Sequence, residues 1–457
     1  MKTYRLSQVE AFGALRNHSS AGVKSASRAA AATKEISLKI RYVPIVFFQI
    51  YLALTVFLFV FGPWHWPIVN GLKLYVFLAL AHLALFLGYR SVIHREPTVY
   101  SGKWKIERIV LVALIAHLLL LIPTSSFRSG SALPDVFGGL ADPGLAYETS
   151  NRFRSEGGGS AEYIRIVLGP LLFLLLPLTV LYWHRLKVLV KALSAFAIFG
   201  FLAIYLAIGT NKALADFVLL TPCLIFAGYM TGALRLNRTF KIVAIAFSTL
   251  AFILFITFFS STMVSRMKGE SQVSSFGRLG ISADSDNFLV RDLPEKQRPA
   301  VIALTSYLTQ GYYAVYLALD EPFVPMFGVG NSLFLSHNAA RITGNDEIEW
   351  MPYPMRLSRW DGWGNWSTIY PWIASDVSFP GTIVVVFLIG RFFGLAWLDT
   401  IEGSNPFAVG VFAQFLIMLF YFSANNQALQ TGEALSSFVG VFALWLFTRK
   451  RIAPITA

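Results

Sequence analysis

The chain has 457 residues, 55% hydrophobic and only 14% charged, with a mean hydropathy of +0.58, too little charge to coat a soluble domain of that length. Its net charge of +13 would suggest nucleic acid in a soluble protein. About 22 of the 38 Lys and Arg fall on loops expected to face the cytoplasm, as the positive-inside rule requires, so no nucleic-acid partner is implied.

The pattern is that of an all-α polytopic membrane protein. Repeated uncharged runs of about 18 to 22 residues match the roughly 20 needed to cross a bilayer core as helix, and the dyad alternation of a transmembrane barrel is absent. Residues 1–41 carry Lys2, Arg5, Arg16, Lys24, Arg28, Lys34, Lys39 and Arg41 against Glu10 and Glu35, which holds this segment in the cytoplasm. Leu6, Val9, Phe12 and Leu15 recur at near-helical spacing, so the segment is either a short helix on the inner leaflet or an irregular tail. Residues 42–263 hold seven expected spans: 43–62, 71–89, 109–124, 164–183, 192–209, 213–231 and 242–263. The basic 90–108 loop is cytoplasmic. The 125–162 loop is external and ends in a glycine-rich stretch with Arg152 and Arg154. Pro170 and Pro177 predict a bent fourth span. Lys212 and Asp216, four apart, share a helix face. The single cysteine, Cys223, lies within an apolar run, leaving no disulfide framework and no thiol metal site.

Residues 264–378 form one large outer loop between spans seven and eight. Spans eight to ten then occupy 379–448, as 379–398, 407–424 and 429–448, and 449–457 return to the cytoplasm. Residues 299–319 are uncharged and just long enough to cross. Ser306, Thr309, Gln310 and Gly311 weaken them, and a crossing would place Arg449, Lys450 and Arg451 outside. They are expected to dip in or lie at the interface, which gives ten transmembrane helices with both termini cytoplasmic. Of the charges inside spans, Arg391 can snorkel to the inner end of its helix and Glu433 stands near an outer end. Neither reads as part of an ion pathway, which counts against a coupled transporter.

The large loop gathers the chemistry. It carries Arg266, Arg278, Arg291, Arg298, Arg341, Arg356 and Arg359 against only Lys268 and Lys296. A guanidinium grips phosphate oxygens in a bidentate fork, so with Arg152 and Arg154 this set suits a lipid-linked diphosphate. The bland alternative is pairing with the loop's own Glu270, Asp284, Asp286, Asp292 and Glu295. Trp350, Trp360, Trp363, Trp366 and Trp372 are five of the chain's 11 tryptophans. They serve either as platforms for sugar rings or as an aromatic belt at the membrane surface. Asp376, His337 and Asp361 are the candidate general bases, with helix capping the plain alternative for Asp376. No metal-ligand pattern is present, so neither a metal nor another cofactor is implied.

This arrangement resembles the bacterial oligosaccharide repeat-unit (O-antigen) polymerases. The resemblance rests on Asn365-Trp-Ser-Thr368, followed by Asp376 and Gly381 at the start of a late span. It is supported by Phe327-Gly328-Val-Gly330-Asn331 and Gly209-Thr-Asn-Lys212, and by the plan of about ten spans with one dominant late outer loop. Arg266 to Gly277 and Arg128 to Gly139 fit an Arg-x10-Gly spacing described for such loops, although about three basic-x10-Gly pairs arise by chance at this composition. The resemblance implies a metal-independent, membrane-embedded glycosyltransferase of the bacterial inner membrane. It would join repeat units carried on undecaprenyl pyrophosphate at the periplasmic face, with a chain-length regulator as a further partner. The arginines, with Asn365, Thr368, Tyr370, Trp363 and Trp366, would contact substrate. The alternatives are an O-antigen ligase-type transferase to a lipid A core and a polysaccharide flippase. His337-Asn338 is similar to the ligase His-Asn, but the residues that follow it depart from that pattern.

Overall fold

A computed structural model describes residues 38–96, 98–156, 160–234, 237–266, 274–276, 279–403 and 405–450. Arg278 and the expected helix near the N-terminus lie outside them. The chain divides into two compact units, Met1–Val43 and Pro44–Ala457. Of the first, the described residues are the opening of helix α1, Leu38–Phe61.

The second unit is mostly helical with little sheet. After α1 come α2 (Leu72–Arg90), α3 (Ile106–Ser129), the short α4 (Val136–Ala141) and α5 (Pro143–Glu156). They are followed by α6 (Ser160–Leu181), α7 (Val188–Ala207), α8 (Lys212–Met230) and α9 (Arg238–Arg266). Beyond them lie α10 (Arg298–Ala318), α11 (Leu333–Thr343), α12 (Tyr353–Arg356), α13 (Ile369–Ile401), α14 (Pro406–Phe420) and α15 (Gly432–Thr448). Among the described residues eight helices are long and apolar enough to cross a membrane, and α14 and α15 are shorter apolar helices.

The ends of these helices sort into two groups. At one end the strand Val99–Tyr100 pairs antiparallel with Arg449–Lys450. Buried Asp399, from the last turn of α13, accepts there from Trp445 Nε1 at 2.9 Å, Arg449 Nε at 2.7 Å and the Thr98 amide at 3.0 Å. At the other end, called the loop end here, Trp64 bridges to Ala283 and the Asp284 amide donates to Pro63 O at 2.8 Å. The basic 90–108 loop and residues 449–450 therefore share one end, opposite the large loop.

The α10 helix is tied to the loop end at both of its own ends. Ile302 O accepts from Trp64 Nε1 at 3.2 Å, and Asp320, just past its last turn, pairs with Lys73 at 2.5 Å. Its middle reaches into the bundle, where Tyr312 meets Thr55 at 2.8 Å. A helix so attached does not run from one end of the bundle to the other.

Close backbone approach along α2 and α13 uses glycine. A Cβ at Gly88 would overlap Phe387 O, and one at Gly390 would overlap Leu85 O, the small-residue packing that membrane helices favour. The α13 helix is broken at Ser378 (φ 65, ψ 169), one residue before the expected start of span eight. Tyr370 and Phe379, on either side of the break, both pack edge-on against Phe77.

Two stretches depart from the expected boundaries. The α3 helix continues through Ser129 because Thr124, Ser125 and Arg128 are buried against neighbours, and the expected 125–162 loop is largely helical. The α14 helix stops at Phe420, earlier than the expected 424, and 421–431 is an irregular and mostly buried connection. Its polar groups Asn425, Asn426 and Gln430 are each at most 7% exposed.

Candidate functional site

Two cations from different helices lie near Tyr307 at the loop end. Gly209 closes α7 with φ +59, and a Cβ there would overlap Pro143 O. The turn it makes lets Lys212 open α8, where its Nζ lies 2.7 Å from Asp216 Oδ2, one turn on. Arg266, the last residue of α9, donates from Nη2 to Gly209 O and stacks over the Tyr147 ring at 3.7 Å. The end of α9 is fixed by Ser265, whose Oγ donates to Asp142 Oδ1 at 2.8 Å and accepts from the Gly144 amide at 2.9 Å.

Tyr307 of α10 and Tyr421 of the 421–431 connection close over this centre. Tyr307 bonds Gln427, and the Tyr421 hydroxyl reaches the Asp216 carboxylate. Burial pushes the Tyr307 phenol up to about 12 and the Tyr421 phenol well above its ordinary value, so both stay protonated and able to donate. Arg266 Nε and Asp216 Oδ1 are buried without a partner among the described residues. The result is a buried polar centre in which Tyr307 lies near Lys212, Asp216 and Arg266.

Behind it lies a second buried cluster that the sequence reading did not foresee. Arg165 binds Glu433 through Nε (2.9 Å) and Nη2 (2.5 Å), and its Nη1 donates to Thr124 at 3.1 Å. Arg128 grips Glu162 in a fork at 2.8 and 3.1 Å, donates to Tyr205 at 2.6 Å and lies 3.6 Å from Glu433. Two guanidiniums balance two carboxylates, pinning α3, α6, α7 and α15 together. The sequence signal available was an arginine, Arg165, inside an apolar run, with Glu433 flagged in a distant span.

Asp376 gathers four donors. Its Oδ1 accepts from the amides of Gly328 (2.8 Å) and Gly330 (2.9 Å), and its Oδ2 accepts from the amide (3.0 Å) and Nδ2 (2.7 Å) of Asn331. Phe327 and Ser378, on either side of this clamp, are the two non-glycine residues with positive φ among those described. A carboxylate that holds strained backbone on both sides has its lone pairs engaged. Asp376→Ala is expected to speed amide exchange at Gly328 and Gly330 at least tenfold, since each charge-assisted bond contributes on the order of 1.5–3 kcal/mol. Unchanged exchange at both glycines would show that other contacts hold the loop.

The remaining candidates are scattered. His337 is exposed and bonds Glu349 at 2.6 Å. Asp361 accepts from the amides of Trp363 (3.2 Å) and Gly364 (3.1 Å) in its own turn, and the Asn365 amide donates to Asp361 O. Thr368 is buried and caps α13 through the Tyr370 amide. Tyr370 is only 1% exposed, in the aromatic core against Phe77 and Phe422, which departs from the expectation of a substrate contact. Trp363 and Trp366 are exposed, with Trp363 edge-on to Trp350. Arg291 pairs with neighbouring Asp292 at 3.2 Å. Arg356 donates to Pro322 O and stacks over Tyr353, and Arg359 is exposed near Tyr313. Arg152 and Arg154 are exposed on α5, where Arg154 follows Tyr147 by seven residues and so shares its face.

The two centres are joined. Asn331, held by Asp376, accepts at its carbonyl from Asn426 Nδ2 at 2.6 Å, and the next residue, Gln427, bonds Tyr307. The structure thus connects Asp376 to Lys212 and Arg266 through the 421–431 connection.

Comparison with protein-family models, curated proteins and solved structures finds no match. The class follows from the fold: an all-α, multi-pass membrane protein, with eight helices able to cross among the described residues.

Proposed function

We propose that this chain is a membrane-embedded glycosyltransferase that polymerises oligosaccharide repeat units carried on undecaprenyl diphosphate. It works at the loop end of the bundle, facing the periplasm across a bacterial inner membrane. The observation that carries this reading is that Lys212, with its partner Asp216, and Arg266 both lie near Tyr307, with Arg266 Nε buried and without a partner among the described residues. Two cations close to one another favour a diphosphate, and its departure as an anion is the step such groups accelerate.

The surroundings suit a lipid-linked substrate. Of the 29 residues of α9, Phe258, Phe259 and Thr262 are the buried ones, so the helix that ends in Arg266 is mostly open to hydrocarbon. A polyprenyl chain can lie along α9 while its headgroup reaches Arg266. Asp376 has the role of a positioning residue, holding the 327–331 loop, in place of the expected base.

This reading takes ten crossings, with α10 as a helix that enters and leaves at the same face and both termini in the cytoplasm. The pairing of Tyr100 with Arg449 at the end opposite the large loop supports that count, because a basic loop and a basic tail then share the cytoplasmic side.

Deletion of the gene, followed by gel analysis of surface polysaccharide, tests the function. A polymerase predicts loss of the ladder with a single capped repeat retained. Loss of all capping would point to a ligase, and an unchanged ladder would end the proposal.

A further inference from the structure

We infer that the crossing of α2 and α13 holds an anionic phospholipid. Its phosphate sits between Arg391 and Arg95, at the end opposite the large loop, and its acyl chains lie in the groove along the two helices. The inference needs only the membrane class of the fold and is independent of the reaction proposed above.

The headgroup side comes from two elements. Arg391 of α13 is partly exposed and donates from Nη1 to Ser91 Oγ at 3.0 Å, which turns its guanidinium toward the end of α2. Arg95, exposed in the turn that follows α2, lies close enough for its charge to act on Arg391. Neither arginine forms an ion pair among the described residues. Glu96, next to Arg95, is exposed and pairs with neither. Asp399, the next acid along α13, is buried and already holds Arg449 and Trp445. Two guanidiniums with no carboxylate between them repel, and a phosphate that accepts from both relieves that repulsion.

The depth suits a headgroup. The α2 helix has 19 residues, about 28 Å at its rise per residue and close to the thickness of a bilayer's hydrocarbon core. The turn after it therefore stands where lipid phosphates lie, and basic groups between helices at that depth attract anionic lipids. Beyond Arg391 the α13 helix is covered by protein, since residues 393–401 are all buried. Arg391 thus marks the point at which α13 leaves the lipid.

The groove follows from close packing. Gly390 meets Leu85 and Gly394 meets Tyr89, so the two helices run parallel with their backbones almost touching. Val384, Leu388 and Arg391 follow at steps of four and three and share one face of α13. Leu80, Leu87 and Ser91 likewise share one face along α2 and the turn after it, and the bond from Arg391 to Ser91 joins the two faces. The four apolar residues are between 41% and 60% exposed. An apolar furrow that ends in two unpaired cations fits a lipid with a negative headgroup better than a neutral one.

The test uses the purified full-length protein in detergent, probed with phosphatidylglycerol and phosphatidylcholine of the same acyl chains and read by native mass spectrometry. Phosphatidylglycerol is expected to bind about tenfold more tightly, and Arg391→Gln combined with Arg95→Gln to abolish that preference. Equal binding of the two lipids by the parent protein overturns the inference. Lys103→Gln combined with Lys105→Gln removes the same charge from the same end and should leave the preference intact. An equal loss there would reduce the effect to general positive charge and overturn the site. Should the double arginine variant not accumulate, Arg95→Gln alone is expected to lower the preference about threefold, and an unchanged preference refutes the assignment. Glycerol phosphate, a headgroup without chains, should not compete at the same concentration. Full competition would make the ligand a free phosphate, and a dimer lost on the arginine substitutions would put a second copy in the groove. Either result overturns the inference.

Discussion

Glu433→Ala is expected to destabilise the folded protein by about 3–5 kcal/mol, the usual cost of removing one partner from a buried ion pair. Arg165 is 2% exposed and spends two of its nitrogens on Glu433. Without that carboxylate its charge keeps the Thr124 hydroxyl, the Phe201 ring 4.8 Å away and the weaker pull of Glu162, which Arg128 already holds. Arg128, 3.6 Å from the same carboxylate, loses part of its balance too. Thermal unfolding in detergent, read beside the yield of folded protein, measures the effect. Replacing both partners, as Arg165→Leu with Glu433→Leu, is expected to recover most of the loss, since no charge is then stranded. A single variant as stable as the parent would mean that Arg165 finds another counter-ion.

Arg266→Ala is expected to reduce polymer formation by roughly 100- to 1,000-fold, the range seen when one donor to developing negative charge is removed. The change also removes the stacking on Tyr147 and the bond to Gly209, so folding is checked by the same unfolding curve. Arg266→Lys should recover little, because an ammonium lacks the planar fork and the face that covers Tyr147. Lys73→Ala is the control. Its bond to Asp320 joins side chains 72% and 62% exposed, and a surface pair of that kind contributes at most about 1 kcal/mol. A full-length ladder from Arg266→Ala would remove the diphosphate from this centre.

The helical plan was legible because hydrocarbon leaves little choice. Uncharged runs near the required length must be helices, and the observed α1, α2, α6, α7 and α8 begin and end within a few residues of the expected spans. Within 299–319, Ser306, Thr309, Gln310 and Gly311 are poor company for lipid, which sets that run apart from the others. The meetings were not legible. Arg165 and Glu433 are 268 residues apart, and nothing in local periodicity pairs them. Asp376 reads as a base or a helix cap beside the expected start of a span, whereas it lies inside α13, which Thr368 caps, and takes the amides of the 327–331 loop, a role that no local pattern announces. The Lys212–Asp216 pair is legible as an i,i+4 match, but Tyr307 and Tyr421, which come to Asp216 from distant segments, are not.

The pairing of early helices with the last one has a consequence for how the protein is made. Arg165 emerges from the ribosome long before Glu433, and Asp399 before Arg449, yet each is buried only once its partner is present. Until α15 inserts, the half-built bundle carries an unbalanced guanidinium near the bilayer, a state that membranes penalise. A nascent chain stopped short of residue 432 should therefore be held by the insertion machinery or degraded. Insertion of α15 thus supplies the counter-charge on which the earlier helices depend.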